Sequence, residues 1–223
     1  ERISPEAPVQ VINVGDESVL LGGAGNVVNN LNALGAQVDV ISVIGNCETS
    51  GKLKALLANI KVNTKYLITQ NKRITSKKTR IISSQQQVVR YDHESTDEIS
   101  DESQKSILAS FKKLVSNYDA VLLSDYGKGV LTIELTQSLI AIANNKNKKV
   151  LVDPKGLDYS KYRGSYLLTP NKKEASEATK INITDDASLT KAITQLKTEY
   201  DLDVSLITLS EQGVAIYDDK LRV

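Results

Sequence analysis

Ala120-Val121-Leu122-Leu123-Ser124-Asp125-Tyr126-Gly127-Lys128-Gly129 and Lys149-Val150-Leu151-Val152-Asp153-Pro154-Lys155-Gly156 are the two stretches that decide the fold. Residues 120–123 and 149–152 are short apolar runs of the kind buried on both faces of a sheet, and each run ends in an aspartate. Between them residues 132–145 carry a helical pattern that Thr132 caps. The alternation continues in both directions. Residues 166–168 predict a strand ending in Thr169-Pro170-Asn171. Helices follow at 171–178 and at 186–200, the latter from Leu189, Ala192, Ile193 and Leu196, and strands at 204–208 and 214–217. Upstream, residues 100–116 place Ile107, Leu108, Phe111, Leu114 and Val115 on one side of a helix. Repeated strand–helix alternation predicts a mostly parallel sheet with helices on both faces, an α/β class. Ligands of such sheets bind beyond the carboxyl ends of the strands, where Asp125, Asp153, Asn171, Thr208 and Ser210 collect.

The N-terminal third is organised differently. Residues 8–21 read as extended. A helix starts at Ala24, with Ala24, Val27, Val28, Leu31 and Leu34 on one face and Gly35 as its left-handed cap. A buried strand is expected at 38–44 and a helix at 49–59, carried by Leu53, Leu56 and Leu57. From 64 to 91 the chain is rich in Ile, Thr, Val, Tyr and Gln. Ser83-Ser84-Gln85-Gln86 separates Thr79-Arg80-Ile81-Ile82 from Val88-Val89-Arg90-Tyr91, which predicts a hairpin in a small, half-exposed sheet apart from the central one.

Composition narrows the function. The 223 residues hold 28 Lys+Arg against 27 Asp+Glu, a net charge of +1, which disfavours a general polyanion binder. Cys47 is the one cysteine and His93 the one histidine, so an intrachain disulfide and a His-rich metal site are excluded and a Ser-His-Asp triad is disfavoured. No run approaches the roughly 18 apolar residues of a membrane span. The absence of methionine and the uncapped opening at Glu1 read as a window cut from a longer protein.

Two phosphate motifs fail on inspection. Gly23-Ala24-Gly25-Asn26-Val27-Val28 puts Val28 where a dinucleotide fingerprint needs Gly or Ala. Gly45 to Lys52 has one residue too many for a P-loop, and Leu53 replaces the Ser or Thr that would hold magnesium. Gly22-Gly23-Ala24-Gly25-Asn26 still offers small residues at a helix N-terminus, where a ligand can approach free N–H groups. Asn26 donates and accepts, as a sugar hydroxyl requires. The same stretch also reads as a tight strand–helix turn. Asn171 and Glu174 lie one turn apart, so they form either a capping box or a site for phosphate and water-held magnesium.

Gly22-Gly23-Ala24-Gly25-Asn26 resembles the N-terminal signature of the ribokinase (PfkB-type) sugar kinases. Asn171-Lys172-Lys173-Glu174 is similar to that family's Asn-x-x-Glu element. Thr208-Leu209-Ser210-Glu211-Gln212-Gly213 resembles its strand end along the nucleotide, and the hairpin its β-lid. Arg2-Ile3-Ser4-Pro5-Glu6-Ala7-Pro8-Val9, Leu123-Ser124-Asp125-Tyr126-Gly127-Lys128-Gly129, Val152-Asp153-Pro154-Lys155-Gly156 and Tyr162-Arg163-Gly164 resemble its heptose-7-phosphate kinase branch. The resemblance covers essentially the whole chain. It implies a ribokinase-like three-layer α/β/α sandwich with a small β-lid, truncated at both ends, with lid strands at about 1–21 and 64–92.

The implied activity is transfer of the ATP γ-phosphate to C1 of D-glycero-β-D-manno-heptose 7-phosphate, with ATP and Mg²⁺ as cofactors, in the cytoplasm. A homodimer through the lid is implied too. Gly22, Gly23, Asn26, Asp125 and Asp153 would hold the sugar. Arg80, Arg90, Lys128 and Lys155 would meet its distal phosphate, and each also reads as a surface ion-pair partner. Asn171, Lys172, Lys173, Glu174, Thr208, Ser210 and Gly213 would line the ATP site, with Glu174 reaching the metal through water. The family's Gly-Ala-Gly-Asp element, which supplies the base, has no counterpart among these residues, so no catalytic residue is assigned. Two alternatives stand beside this reading: a sugar-binding or assembly module without catalysis, and a kinase of the same type for another sugar.

Overall fold

The computed structural model describes the chain except Glu1, Ser4, Val9, Ser84 and Gln85; the side chains of Arg2, Ile3 and Gln10 are likewise left aside. In chain order the elements are β1 (Arg2–Ile3), β2 (Gln10–Val11), α1 (Ala24–Ala33), β3 (Ser42–Ile44), α2 (Glu48–Asn59), β4 (Leu67–Thr69), β5 (Lys77–Ser83), β6 (Gln86–His93), α3 (Asp101–Leu114) and β7 (Ala120–Ser124). Then come α4 (Ile133–Asn144), β8 (Lys149–Asp153), β9 (Leu167–Leu168), α5 (Lys172–Thr179), α6 (Asp186–Glu199), β10 (Val204–Thr208), β11 (Val214–Tyr217) and β12 (Leu221–Arg222).

The central sheet has the order β12-β11-β10-β9-β8-β7. Strands β7 to β10 are parallel, and β11 and β12 add antiparallel. Because Ser124 pairs with Asp153 and Val152 with Leu168, the carboxyl ends of the parallel strands lie along one edge. Val150, Val152, Leu168, Ile207 and Ala215 are fully buried, packed with Leu135, Leu139 and Ile140 of α4 and Ile193 and Leu196 of α6. Thr132 caps α4 by accepting the Leu135 N–H at 3.2 Å, and Ser100 caps α3 by accepting the Ser103 N–H at 3.2 Å.

A smaller core joins Val28, Ile44, Leu57, Val62 and Leu67. Val43 belongs to the main core and Ile44 to the smaller one, so β3 separates two packed layers through the alternation of its side chains.

Several elements differ from the sequence expectation. Among the described residues of 8–21 only β2 is a strand, paired antiparallel with β1, and Val14, Val19 and Leu20 are exposed. Of 38–44 only β3 is a strand. Strand β4, expected with the exposed sheet, instead pairs parallel with β3. Its Leu67 finds a buried site there, which an isolated hairpin face would not provide. The hairpin proper is β5–β6; its expected turn residues Ser84 and Gln85 lie outside the described residues. Leu34 is exposed because α1 ends before it and Gly35, at φ 87°, turns the chain away. A short 3-10 turn over Ser160–Tyr162 follows β8, and its Tyr162 and the preceding Tyr159 are completely buried.

Candidate active site

At the carboxyl edge, the Asp125 N–H donates to the Asp153 carbonyl at 3.0 Å and prolongs the β7–β8 pairing by one residue. The Asp125 carboxylate is buried. Its Oδ1 accepts the Gly127 N–H at 2.7 Å. Its Oδ2 accepts Lys161 Nζ at 2.6 Å and the Tyr162 hydroxyl at 2.7 Å. Through the Gly127 bond the Asp125 carboxylate caps its own turn. A carboxylate offers about four lone-pair sites, and among the described residues these three bonds leave one unused. Asp153 is half-buried, and burial, reinforced by Glu174 and Asp125 and opposed by Lys155, holds its carboxyl above the usual range.

The small-residue turn meets this edge. Gly23 opens α1 at φ 53°, and a Cβ there would lie 3.6 Å from the Tyr126 ring. Gly22 and Asn26 are exposed beside it. A Cβ on Gly127 would lie 3.4 Å from Lys155 Cγ, so the loops after β7 and β8 touch.

Lys155 leads on to α5, with Nζ 3.5 Å from Glu174 Oε1. Asn171 and Glu174 form the capping box: Asn171 Oδ1 accepts the Glu174 N–H at 2.9 Å, and Glu174 Oε2 accepts the Asn171 N–H at 3.1 Å. Asn171 also bridges to Thr208, whose N–H donates to the Pro170 carbonyl at 3.0 Å. Beyond Thr208 the chain turns sharply, with Ser210 at φ 56° and Gly213 at φ 86°. A cleft of about 510 Å³ opens here, lined by Asn171, Lys172, Lys173, Ser176, Ile183 and Ser210.

The remaining expected cations lie on, or are tied to, the hairpin. Lys128 pairs with Glu94, which Lys78 also grips at 2.9 Å. These two lysines hold the Glu94 carboxyl below the usual range, the Lys128 bond first. Arg90 Nε lies 3.1 Å from Asp92 Oδ1. Arg80 sits directly opposite Arg90 in the β5–β6 register, a like-charge pairing that disfavours the bare hairpin. Among the described residues neither arginine bonds to the strand-edge groups. His93 is exposed. Cys47 is exposed too, and its thiol is lowered to about 7 by a hydrogen bond with the Ser50 hydroxyl.

Sequence reading missed Lys161, Tyr162, Tyr126, Lys78 and Glu94 as site components. The Tyr162-Arg163-Gly164 motif pointed at the right turn, but which carboxylate it serves is a tertiary fact. Among the described residues no group of three or more His, Cys, Asp or Glu could cage a metal. Glu174 could meet a hydrated cation only through waters and a ligand's own phosphates.

The pfkB family carbohydrate kinase pattern matches residues 1–223. The chain is 61% identical over its full length to the bifunctional protein HldE of Aliarcobacter butzleri. It is 57% identical over its full length to that of Sulfurimonas denitrificans. It spans about half of each of these relatives, 47% of their length. Arabidopsis thaliana ribokinase, solved with ribose and ATP, superposes with a TM-score of 0.72 at 16% identity over 96% of this chain and 69% of its own. The fold is thus a ribokinase-like three-layer α/β/α sandwich, with three two-stranded sheets beside the central one among the described residues, and the chain belongs to the pfkB family of carbohydrate kinases.

Proposed function

We propose that this chain carries the sugar-kinase activity that phosphorylates D-glycero-β-D-manno-heptose 7-phosphate at C1, using ATP and Mg²⁺, toward ADP-heptose for the lipopolysaccharide core. The observation that supports it best is the convergence on one sheet edge of the 22–26 turn, the Asp125 and Asp153 loops, and the α5 N-terminus with its neighbouring cleft. The 61% and 57% identity to bifunctional HldE proteins over the whole of this chain supports the heptose branch of the family.

In this reading Gly22 and Gly23 let the sugar approach backbone, and Asn26, Asp153 and the remaining Asp125 lone pair bond its hydroxyls. Arg80, Arg90, Lys128 and Lys155 meet the distal phosphate. Arginine suits a two-point contact and lysine a point charge. Lys128 must then exchange Glu94 for the substrate. Asn171, Lys172, Lys173, Thr208, Ser210 and Gly213 line the nucleotide, with exposed backbone at the α5 N-terminus favouring its phosphates. Magnesium, when bound, neutralises the charge that develops on the transferring phosphoryl group, and Glu174 would hold it through water. The reading places the protein in the cytoplasm, where ATP is supplied. It makes the hairpin a lid and a homodimer contact, supported by the exposed Ile82, Val88, Val89 and Tyr91.

The test is an acceptor panel on the intact protein with ATP and Mg²⁺. Heptose 7-phosphate turning over faster than ribose, fructose 6-phosphate or unphosphorylated heptose supports the reading. Preference for another sugar moves the assignment within the family. Sugar binding without turnover supports a binding module.

A further inference from the structure

We infer that Lys161 and Tyr162 are positioning residues, a two-residue clamp that sets the loops after β7 and β8 in register on the substrate side of the sheet; its kinetic consequence rests on the kinase reading above. Both come from one 3-10 turn between β8 and β9. Lys161 Nζ donates to Asp125 Oδ2 at 2.6 Å and to the Leu131 carbonyl at 3.3 Å. The loop over residues 125–131 is thereby held at its far end, while Asp125 Oδ1 holds its near end through the Gly127 N–H.

Tyr162 ties the second loop to the first. Its hydroxyl donates to Asp125 Oδ2 at 2.7 Å and accepts the Lys155 N–H at 3.1 Å. The hydroxyl has one hydrogen, and the short bond to the charged oxygen claims it, so the 3.3 Å approach to the Lys155 carbonyl is secondary. Lys155 continues to Glu174. One buried hydroxyl therefore sits between the Asp125 loop, proposed to hold the sugar, and the α5 N-terminus, proposed to hold the nucleotide. Asp125 is 4% and Lys161 19% exposed at the side chain, so water cannot easily replace these bonds. The Tyr162 ring is also fixed independently, against Tyr159 at 6.0 Å between centroids and under Lys161 Nζ at 5.0 Å. Tyr162→Phe thus removes the hydroxyl while keeping the packing.

The experiment compares Tyr162→Phe, Lys161→Met and Lys161→Arg in the intact protein. Amide exchange is followed at Gly127 and Lys155, and kcat and both KM values are measured with ATP and heptose 7-phosphate. Misplaced loops cost rate, so kcat is expected to fall about tenfold or more in Tyr162→Phe and Lys161→Met. KM for ATP should stay within about twofold, because binding common to ground and transition states is untouched. Exchange at Gly127 and Lys155 should quicken about tenfold while α4 keeps its protection. Lys161→Arg, which keeps the cation, should recover most of the loss. Native exchange at both amides in folded Tyr162→Phe, or an unchanged kcat in a protein active as wild type, overturns the clamp. Should Lys161→Met fail to fold, Tyr162→Phe decides alone. Should wild type phosphorylate no sugar, the kinase reading fails, and amide exchange still decides the clamp.

Discussion

Asn171 and Glu174 form a sound structural motif and are also proposed to serve the nucleotide, and two substitutions separate these roles. Asn171→Ala removes the acceptor that caps α5 through the 2.9 Å bond from the Glu174 N–H. An N-cap of this kind contributes about 1 kcal/mol. In a domain of this size that lowers Tm by about 2–4 °C. Asn171→Ser keeps a capping oxygen and should recover most of that loss. Glu174→Gln keeps an acceptor for the Asn171 N–H, now at 3.1 Å, and so preserves the capping box. It gives up only the 3.5 Å pair with a half-exposed Lys155, a surface pair worth under about 1 kcal/mol. Its Tm should therefore stay close to wild type. If Glu174 holds magnesium through water, its kcat should nevertheless fall about 10–100-fold, the usual cost of losing an outer partner of a metal. Extra magnesium should restore part of the rate. The assay is thermal unfolding beside ATP turnover on the acceptor across a magnesium titration. Wild-type kcat in Glu174→Gln at limiting magnesium would refute the functional role and leave the capping box alone.

Gly129, at φ 72°, has no room for a side chain, since its Cβ would fall 2.0 Å from the Asp97 carbonyl. Gly129→Ala should cost about 2–5 kcal/mol through left-handed strain and overpacking, read as a lower urea midpoint with an unchanged slope. Asp153 has a carboxyl raised above its ordinary value of 3.8, so its ionised form weakens the fold. That penalty is absent below the unfolded value and grows as pH rises through the folded one. Asp153→Asn should therefore raise Tm at neutral pH and lose this advantage below about pH 4, while weakening acceptor binding; an equal Tm at both pH values would count against it. Arg80→Gln relieves the like-charge pairing with Arg90. It should leave hairpin stability equal or better by a few tenths up to about 1 kcal/mol, yet raise KM for the phosphorylated acceptor alone. An unchanged acceptor KM would remove Arg80 from the phosphate site.

Local chemistry made much of this legible. Strands β10 and β11 run over the residues their apolar runs mark, and Thr132 and Asn171 cap the helices their side chains suggest. What sequence hid depends on partners far along the chain. The β-branched residues of 11–20 promise a strand, but a strand needs a neighbour, and only β2 finds one among the described residues. Strand β4 reads like the hairpin that follows it, and only its parallel partner β3 gives Leu67 a buried face. In the site, single residues were visible as strand-end carboxylates and loop cations. Their pairings were not, because Lys161 lies 36 positions from Asp125 and Glu94 lies 34 from Lys128.

Phosphorylation at C1 is tested by ³¹P NMR of the intact protein incubated with ATP, Mg²⁺ and heptose 7-phosphate. ADP should appear in step with a new sugar phosphate whose phosphorus couples to the anomeric proton, the 7-phosphate remaining in place. ADP without that signal, or phosphate arriving at another carbon, would contradict it.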